Sequence, residues 1–209
     1  STLQNTDFKN AELQYTTMYR ADINNANFVG ADLTRANFCS QDLSLMNFAN
    51  ANLYGADLSR ANLEGVNLQN ANLSGVDLSG ANLSRVNLSN NDLKNATLNS
   101  AKLHKTNFTN ADLSGADLRN ADLSETIFRN ANFTDAYLAG TNITNADTTG
   151  ALLKHANFEK NLPSLDLSDV DLSGVDFSGA DLSGADLSGK NLSNTNFSGA
   201  DLSEANLSH

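Results

Sequence analysis

The chain has 209 residues, enough for one domain with a substantial core, and a formal net charge of −11. That charge disfavours nonspecific attraction to nucleic acids and to anionic membrane surfaces. Since no apolar run approaches the roughly 18 residues of a membrane-spanning helix, and no charged-then-apolar leader opens the sequence, we expect a soluble protein. The cytoplasm is favoured, and export stays open because a removed leader would leave no trace.

A period of five residues governs the sequence from its first residues onward. Large apolar residues, called centres here, recur at every fifth position from Leu3 to Phe158 and again from Leu162 to Leu207; of the 42 centres, all but Thr148 are apolar. Of these centres, 28 are leucine, and 10 are phenylalanine, which is every phenylalanine in the chain. A small residue, usually alanine, lies two positions before each centre. Side chains two apart on an extended chain share a face, so both point inward, and the Asp or Asn between them points outward.

The two residues that complete each repeat are most often Ser-Gly, Ser-Arg or Ser-Asn, which favour turns. Each repeat is therefore predicted to be a short extended side followed by a corner. The phenylalanines indicate how many sides close one coil, because four sides place residues that differ by multiples of 20 in one column. Five phenylalanines share one such column: Phe8, Phe28, Phe48, Phe108 and Phe128. When repeats rather than residues are counted, four others share a second column: Phe38, Phe158, Phe177 and Phe197.

The pattern A-[D/N]-L-x-x, as in residues 111–115 and 180–184, resembles that of the pentapeptide-repeat family, and the resemblance covers essentially the whole chain. It implies an all-β solenoid, a right-handed quadrilateral parallel β-helix. We expect one domain, residues 1–209, of about 10 coils and about 50 Å at a coil spacing of roughly 4.8 Å. The strand edges at the two ends need covering. Flanking segments that are not in this sequence would do so, and so would pairing of two copies into a homodimer.

One irregularity interrupts the repeat at residues 159–164, where two centres, Phe158 and Leu167, are nine residues apart instead of ten. Pro163 lies in the corner that follows Leu162, a position where its missing N–H is tolerated. Two interpretations stay open. The break is either a deletion absorbed at a corner or a kink that separates two surfaces.

Residues able to perform catalysis or to bind a metal are sparse and dispersed. His104 and His155 are predicted at outward corners of different sides, and His209 ends the chain, so no two histidines have the spacing of metal ligands. Cys39 is the only cysteine and has no histidine near it in sequence. We therefore expect no enzyme, no cofactor and no metal site.

Two surfaces are candidates for a protein partner. The first is acidic and follows the break, where the sequence contains eight acidic residues and one lysine. Its candidate residues are Asp166, Asp169, Asp171, Asp176, Asp181 and Asp186. The second lies near the N-terminus, where exposed tyrosine and arginine, which are favoured in protein interfaces, occur together: Tyr15, Tyr19, Arg20 and Tyr54.

The first hypothesis is a rigid, non-catalytic scaffold or protein-binding rod whose partner the sequence does not identify. The alternative is a DNA mimic that binds a type II topoisomerase through the acidic C-terminal coils, as similar pentapeptide-repeat proteins that confer quinolone resistance do. A net charge of −11 over about 50 Å is well below the charge density of duplex DNA, which weighs against the alternative. Direct binding of nucleic acid is not expected under either hypothesis.

Overall fold

A computed structural model describes residues 1–44, 46–156, 172, 175 and 177–209. Its regular structure consists of single-residue parallel β-bridges, from Thr2 paired with Asp22 to Asp186 paired with Asn206. Within the described ranges there is no helix and no strand longer than one residue. Each bridge joins residues 20 apart, which is four repeats, so one coil has four sides as the phenylalanine spacing predicted. The break at 159–164 and Pro163 lie outside the described residues.

The four sides can be named by their centres, taken at every twentieth residue. Side 1 runs from Leu3 to Ile143, side 2 from Phe8 to Thr148, side 3 from Leu13 to Leu153 and side 4 from Met18 to Leu138. Along each side, the outward Asp or Asn forms the bridge, and its N–H donates to the coil before it. The N–H of the centre donates to the coil after it, as when Leu33 donates to the carbonyl of Asn52 over 2.8 Å.

The core is the column of inward side chains on each side. Phe28 is fully buried, its ring stacked between Phe8 and Phe48 at centroid distances of 5.1 and 5.2 Å. Phe38 on side 4 meets Phe28 edge-on at 5.6 Å. Aromatic pairs prefer these two geometries, and each pair contributes about 0.5–1.5 kcal/mol in addition to the free energy of burying its surface. The first predicted column is thus confirmed, since Phe108 and Phe128 also pack together at 6.1 Å.

Each corner is a β-turn in which the residue after a centre and its successor are the central residues. Among the described residues, the second central residue has φ > 0 at 24 non-glycine positions, with φ between 54° and 63°. Asparagine, the commonest, tolerates this conformation best of the non-glycine residues. Space matters as well as φ: a Cβ at Gly115 would lie 2.5 Å from Oδ1 of Asn95 in the preceding coil, whereas a Cβ at Gly184 would meet nothing within 4 Å.

The position of the coils that follow the break differs from our prediction. The N–H of His155 donates to the carbonyl of Ser178, 23 residues later, whereas one coil earlier Asp135 donates to Lys154, 19 residues later. The difference of four residues is one extra repeat with one residue deleted. Phe177 therefore follows Leu153 on side 3. Its assignment, with Phe197, to the column of Phe38 was wrong, because counting repeats assumes that every coil holds four.

At Asn91 and Gln41, the inward position carries a side-chain amide instead of alanine. The Asn91 amide donates from Nδ2 to the carbonyls of Leu68 (2.9 Å) and Ala71 (3.0 Å), and Gln41 bridges the carbonyls of Met18 and Ala21 in the same way. Asn91 is only 3% exposed, and its Oδ1 has no hydrogen-bond partner.

A seam in the coil-to-coil pairing lies beside Asn91. Among the described residues, the regular backbone hydrogen bonds of side 2 between 66–70 and 86–90 are missing, and a cleft of about 300 Å³ opens there. Valine occupies the inward small position in both coils, at Val66 and Val86. Two stacked valines occupy more volume than the two alanines that are usual at these positions.

Candidate functional site

The outward surface is a set of hydrogen-bonded ladders. On side 3, Nδ2 of Asn72 donates to Oδ1 of Asn52 at 2.9 Å, and Asn52 donates to Oδ1 of Asp32 at 3.2 Å. The outward residue also accepts the backbone N–H two residues later, as Asp32 does from Thr34 at 3.0 Å. Outward side chains such as Asp32 and Asn52 are thus held both by their own corner and by a neighbouring coil. The result is a surface of ordered polar groups.

The hydrogen bonds of these ladders act on the acids. The hydroxyl and N–H of Thr34 hold the pKa of Asp32 below its ordinary value, with further help from Gln14 and Asn52 and against the opposing effect of burial. At Asp117, the hydrogen bond from the Arg119 side chain is the largest cause of a lowered pKa. Carboxylates of this kind are therefore fixed as anions at neutral pH.

Only two of the six predicted acidic partner residues lie among the described residues, Asp181 and Asp186. Asp181 pairs in a parallel bridge with Asp201, which places two carboxylates one coil apart. The pKa of Asp186 is lowered, first by its hydrogen bonds from Ser188. The other four, Asp166, Asp169, Asp171 and Asp176, lie outside the described residues, so the acidic surface as a whole stays a prediction.

The tyrosines and arginines predicted as a second surface lie at the two corners that flank side 4. The guanidinium carbon of Arg20 lies 5.1 Å from the centroid of the Tyr19 ring, and that of Arg35 lies 5.9 Å from the Tyr15 ring. Tyr15, Tyr19 and Tyr54 are 68%, 45% and 45% exposed.

Reactive groups do not converge within the described part of the chain. Of two clefts between coils, one has a volume of about 590 Å³ and the other about 300 Å³, and neither is lined by a histidine or a cysteine. His155 contacts Asp135 at 3.3 Å on the surface, and the Cys39 thiol lies 3.3 Å from the Ser59 hydroxyl. No group of three or more potential metal ligands occurs among the described residues, nor does any helix able to cross a membrane.

A fold of stacked five-residue repeats defines a repeat protein of the β-solenoid class. The family model for pentapeptide repeats matches the chain in eight copies that extend from residue 1 to residue 209. The chain therefore belongs to the pentapeptide-repeat family, whose members form right-handed quadrilateral β-helices.

Solved structures agree with this assignment. The chain is similar to HetL, a pentapeptide-repeat protein involved in heterocyst differentiation regulation in the cyanobacterium Nostoc sp. strain PCC 7120, with 30% identity over 97% of this chain and 87% of that one, and a TM-score of 0.64. It is also similar in fold to QnrB1, a plasmid-mediated fluoroquinolone resistance protein, with 23% identity, coverage of 94% and 84%, and a TM-score of 0.53. No curated protein sequence matches the chain.

Proposed function

We propose that the protein is a non-catalytic, protein-binding rod of about 10 coils. The observation that carries the proposal is the locked outward surface, in which asparagine and aspartate side chains are hydrogen-bonded coil to coil. A preordered surface loses little conformational entropy when a partner binds, which favours recognition. Catalysis instead needs groups that converge in a concave site, and neither described cleft is lined by a histidine or a cysteine.

The chain's likeness to HetL supports a regulatory or scaffolding context, since that protein is involved in heterocyst differentiation regulation. In this role, the rod would hold a partner on its sides without altering it. The coils are joined by backbone pairing and have filled cores, so binding is expected to leave their register unchanged.

Affinity capture from the source cells, reconstitution with each purified candidate, and hydrogen exchange on the complex would test this proposal. A true partner should protect amides on one or two sides while the pairing of the coils stays intact. A variant with Ala116, a fully buried inward residue on side 4, replaced by Asp disrupts the core and serves as the unfolded control. The proposal fails if no purified candidate binds, or if the chain turns over a bound molecule.

A DNA mimic that binds a type II topoisomerase is the second candidate, favoured by the stacked carboxylates of Asp181 and Asp201 and the fixed charge of Asp186. Such a mimic would offer a row of anions about 4.8 Å apart along one side. Mimicry predicts inhibition of gyrase supercoiling that weakens with salt. It also predicts that inhibition is lost when Asp166, Asp171, Asp176, Asp181 and Asp186 are changed to Asn. Supercoiling that is unaffected by micromolar protein would rule this candidate out.

A further inference from the structure

From the geometry of side 4 in the first three coils, we infer a docking surface for an acidic protein segment, made of three tyrosines and three arginines. This inference rests on the proposed function and adds the surface and the chemistry of the partner. The tyrosine–arginine surface is defined as Tyr15, Tyr19, Arg20, Arg35, Tyr54 and Arg60. It holds three of the four tyrosines and three of the six arginines in the chain.

These residues lie at the two corners that flank side 4. Tyr15, Arg35 and Tyr54 occupy the corner before it, and Arg20 and Arg60 occupy the corner after it. The outward residues between the corners are Thr17, Asn37 and Asp57, so one carboxylate faces three guanidinium groups. Two coil steps separate Arg20 from Arg60, about 10 Å along the rod at β spacing. That length suits three to four residues of an extended peptide.

Glycines in the next coil, which have no Cβ, let these side chains lie close to the backbone. The Arg35 stem lies against Gly55, where a Cβ would be 3.3 Å from its Cγ, and the Arg60 stem lies against Gly80 at 3.6 Å. The Tyr54 ring approaches Gly75 in the same way, at 3.9 Å. Supported from beneath by backbone, the side chains leave one face open to solvent. Such support reduces the entropy lost when a partner binds.

The three arginines are exposed, and the structure gives none of them an ion pair within the described ranges. Other cations do have partners, such as Lys105, whose Nζ lies 3.1 Å from Glu125. Asp57, the carboxylate within the surface, instead accepts hydrogen bonds from Ser59 and Asn37. The surface therefore presents three exposed guanidinium groups beside one carboxylate, on a chain whose net charge is −11.

Guanidinium groups donate in a fork that matches carboxylate, and tyrosine rings supply apolar contact at low entropy cost. An acidic protein segment satisfies both groups. Duplex nucleic acid is less suitable, because the negative field of the whole chain opposes a long polyanion while a short peptide meets only the local positive charge.

Titration with an oligoglutamate peptide tests the inference, with an oligoglutamine peptide of the same length as control. The chain lacks tryptophan, so its tyrosine fluorescence reports mainly on this surface. We expect the glutamate peptide alone to change the emission and to bind more weakly as salt is raised. The triple variant Arg20→Asn, Arg35→Asn, Arg60→Asn should bind about threefold to a hundredfold more weakly, since each exposed pair contributes a factor of about 1.4 to 5.

A matched variant controls for total charge. Arg85→Asn, Lys102→Asn and Lys105→Asn remove the same number of cations from side 1 and its corner, where no tyrosine lies. Asparagine suits the left-handed corners in both variants, and circular dichroism would show that both stay folded. The control triple should bind the peptide as the parent does.

Equal losses in the two triple variants would overturn the inference, as would tighter binding of a duplex oligonucleotide than of the peptide. Absence of peptide binding, together with a captured partner that protects another side, would refute this inference and leave the proposed function standing. If no partner is captured while the peptide binds as expected, the proposed function fails separately.

Discussion

Asn91 tests how an unpartnered hydrogen-bonding group in the interior affects stability, because replacing this side chain by alanine should stabilise the protein. Oδ1 of this buried side chain has no partner, which costs about 1–3 kcal/mol. At neighbouring positions on side 3, an inward alanine lets the next N–H bond to the coil below, as Asn72 bonds to Ala51 at 3.0 Å. At Asn91, within the described residues, the side-chain amide occupies the Ala71 carbonyl instead of the Asp92 N–H.

The change Asn91→Ala removes the unpartnered oxygen and two side-chain hydrogen bonds, each contributing about 0.5–1.5 kcal/mol. It also frees the Ala71 carbonyl for Asp92, while the Leu68 carbonyl keeps its bond from the Ala71 N–H at 3.0 Å. The sum is a stabilisation of about 1 kcal/mol. The near-isosteric Asn91→Asp should have the opposite effect, destabilising by about 3 kcal/mol or more, because it places an unpaired carboxylate against two carbonyl oxygens.

Urea denaturation followed by circular dichroism gives the free energy of unfolding of each variant at neutral pH. Coils contact only their neighbours and open locally, so hydrogen exchange at the Asp92 amide is the second readout. That amide should exchange more slowly in Asn91→Ala than in the parent. An alanine variant less stable than the parent by more than about 1 kcal/mol, with unchanged exchange at Asp92, would refute the reasoning.

Three further expectations concern the core, the corners and pH. Phe28→Ala should destabilise the N-terminal coils by about 3–5 kcal/mol, measured as local opening by hydrogen exchange, and a loss below about 1 kcal/mol would contradict the stacked core. Gly184→Ala should lower the free energy of unfolding by about 1–2 kcal/mol, the cost of the left-handed conformation alone, and Gly115→Ala should lower it by more. Equal losses of unfolding free energy in urea melts would show that the neighbouring asparagine moves out of the way. Because the pKa of folded Asp32 is lowered, its ionised carboxylate stabilises the fold fully above its unfolded pKa of about 3.9, and this stabilisation is lost as pH falls through the lower folded pKa. The melting temperature of the parent should therefore decrease at pH values below about 4, and that of Asp32→Asn should decrease less.

The four-sided coil was predictable because a side chain's column depends only on the period. Phe8, Phe28 and Phe48 are 20 residues apart, and their rings stack as expected. Phe177 was misplaced for the same reason. Column counting carries no information on how many repeats the chain uses to cross an irregular segment, and that number is set by packing.

Part of the candidate surface was also within reach of the sequence. Tyr19 and Arg20 are adjacent, and their proximity needs no structure. The contact of Arg35 with the Tyr15 ring follows from the 20-residue column, which places these two corner residues one coil apart. The unpartnered oxygen of Asn91 was missed, although a residue larger than valine at an inward position was the signal.

The extra repeat across the break has a geometric consequence for everything that follows it. In a four-sided rod, one extra repeat turns the chain that follows it by one quarter of a revolution. Asp181 and Asp201 are thereby carried from side 1, where repeat counting places them, to side 4. The same side thus bears exposed arginines in its first coils and stacked carboxylates in its last. A length change too small to alter the fold has set which way a charged surface faces.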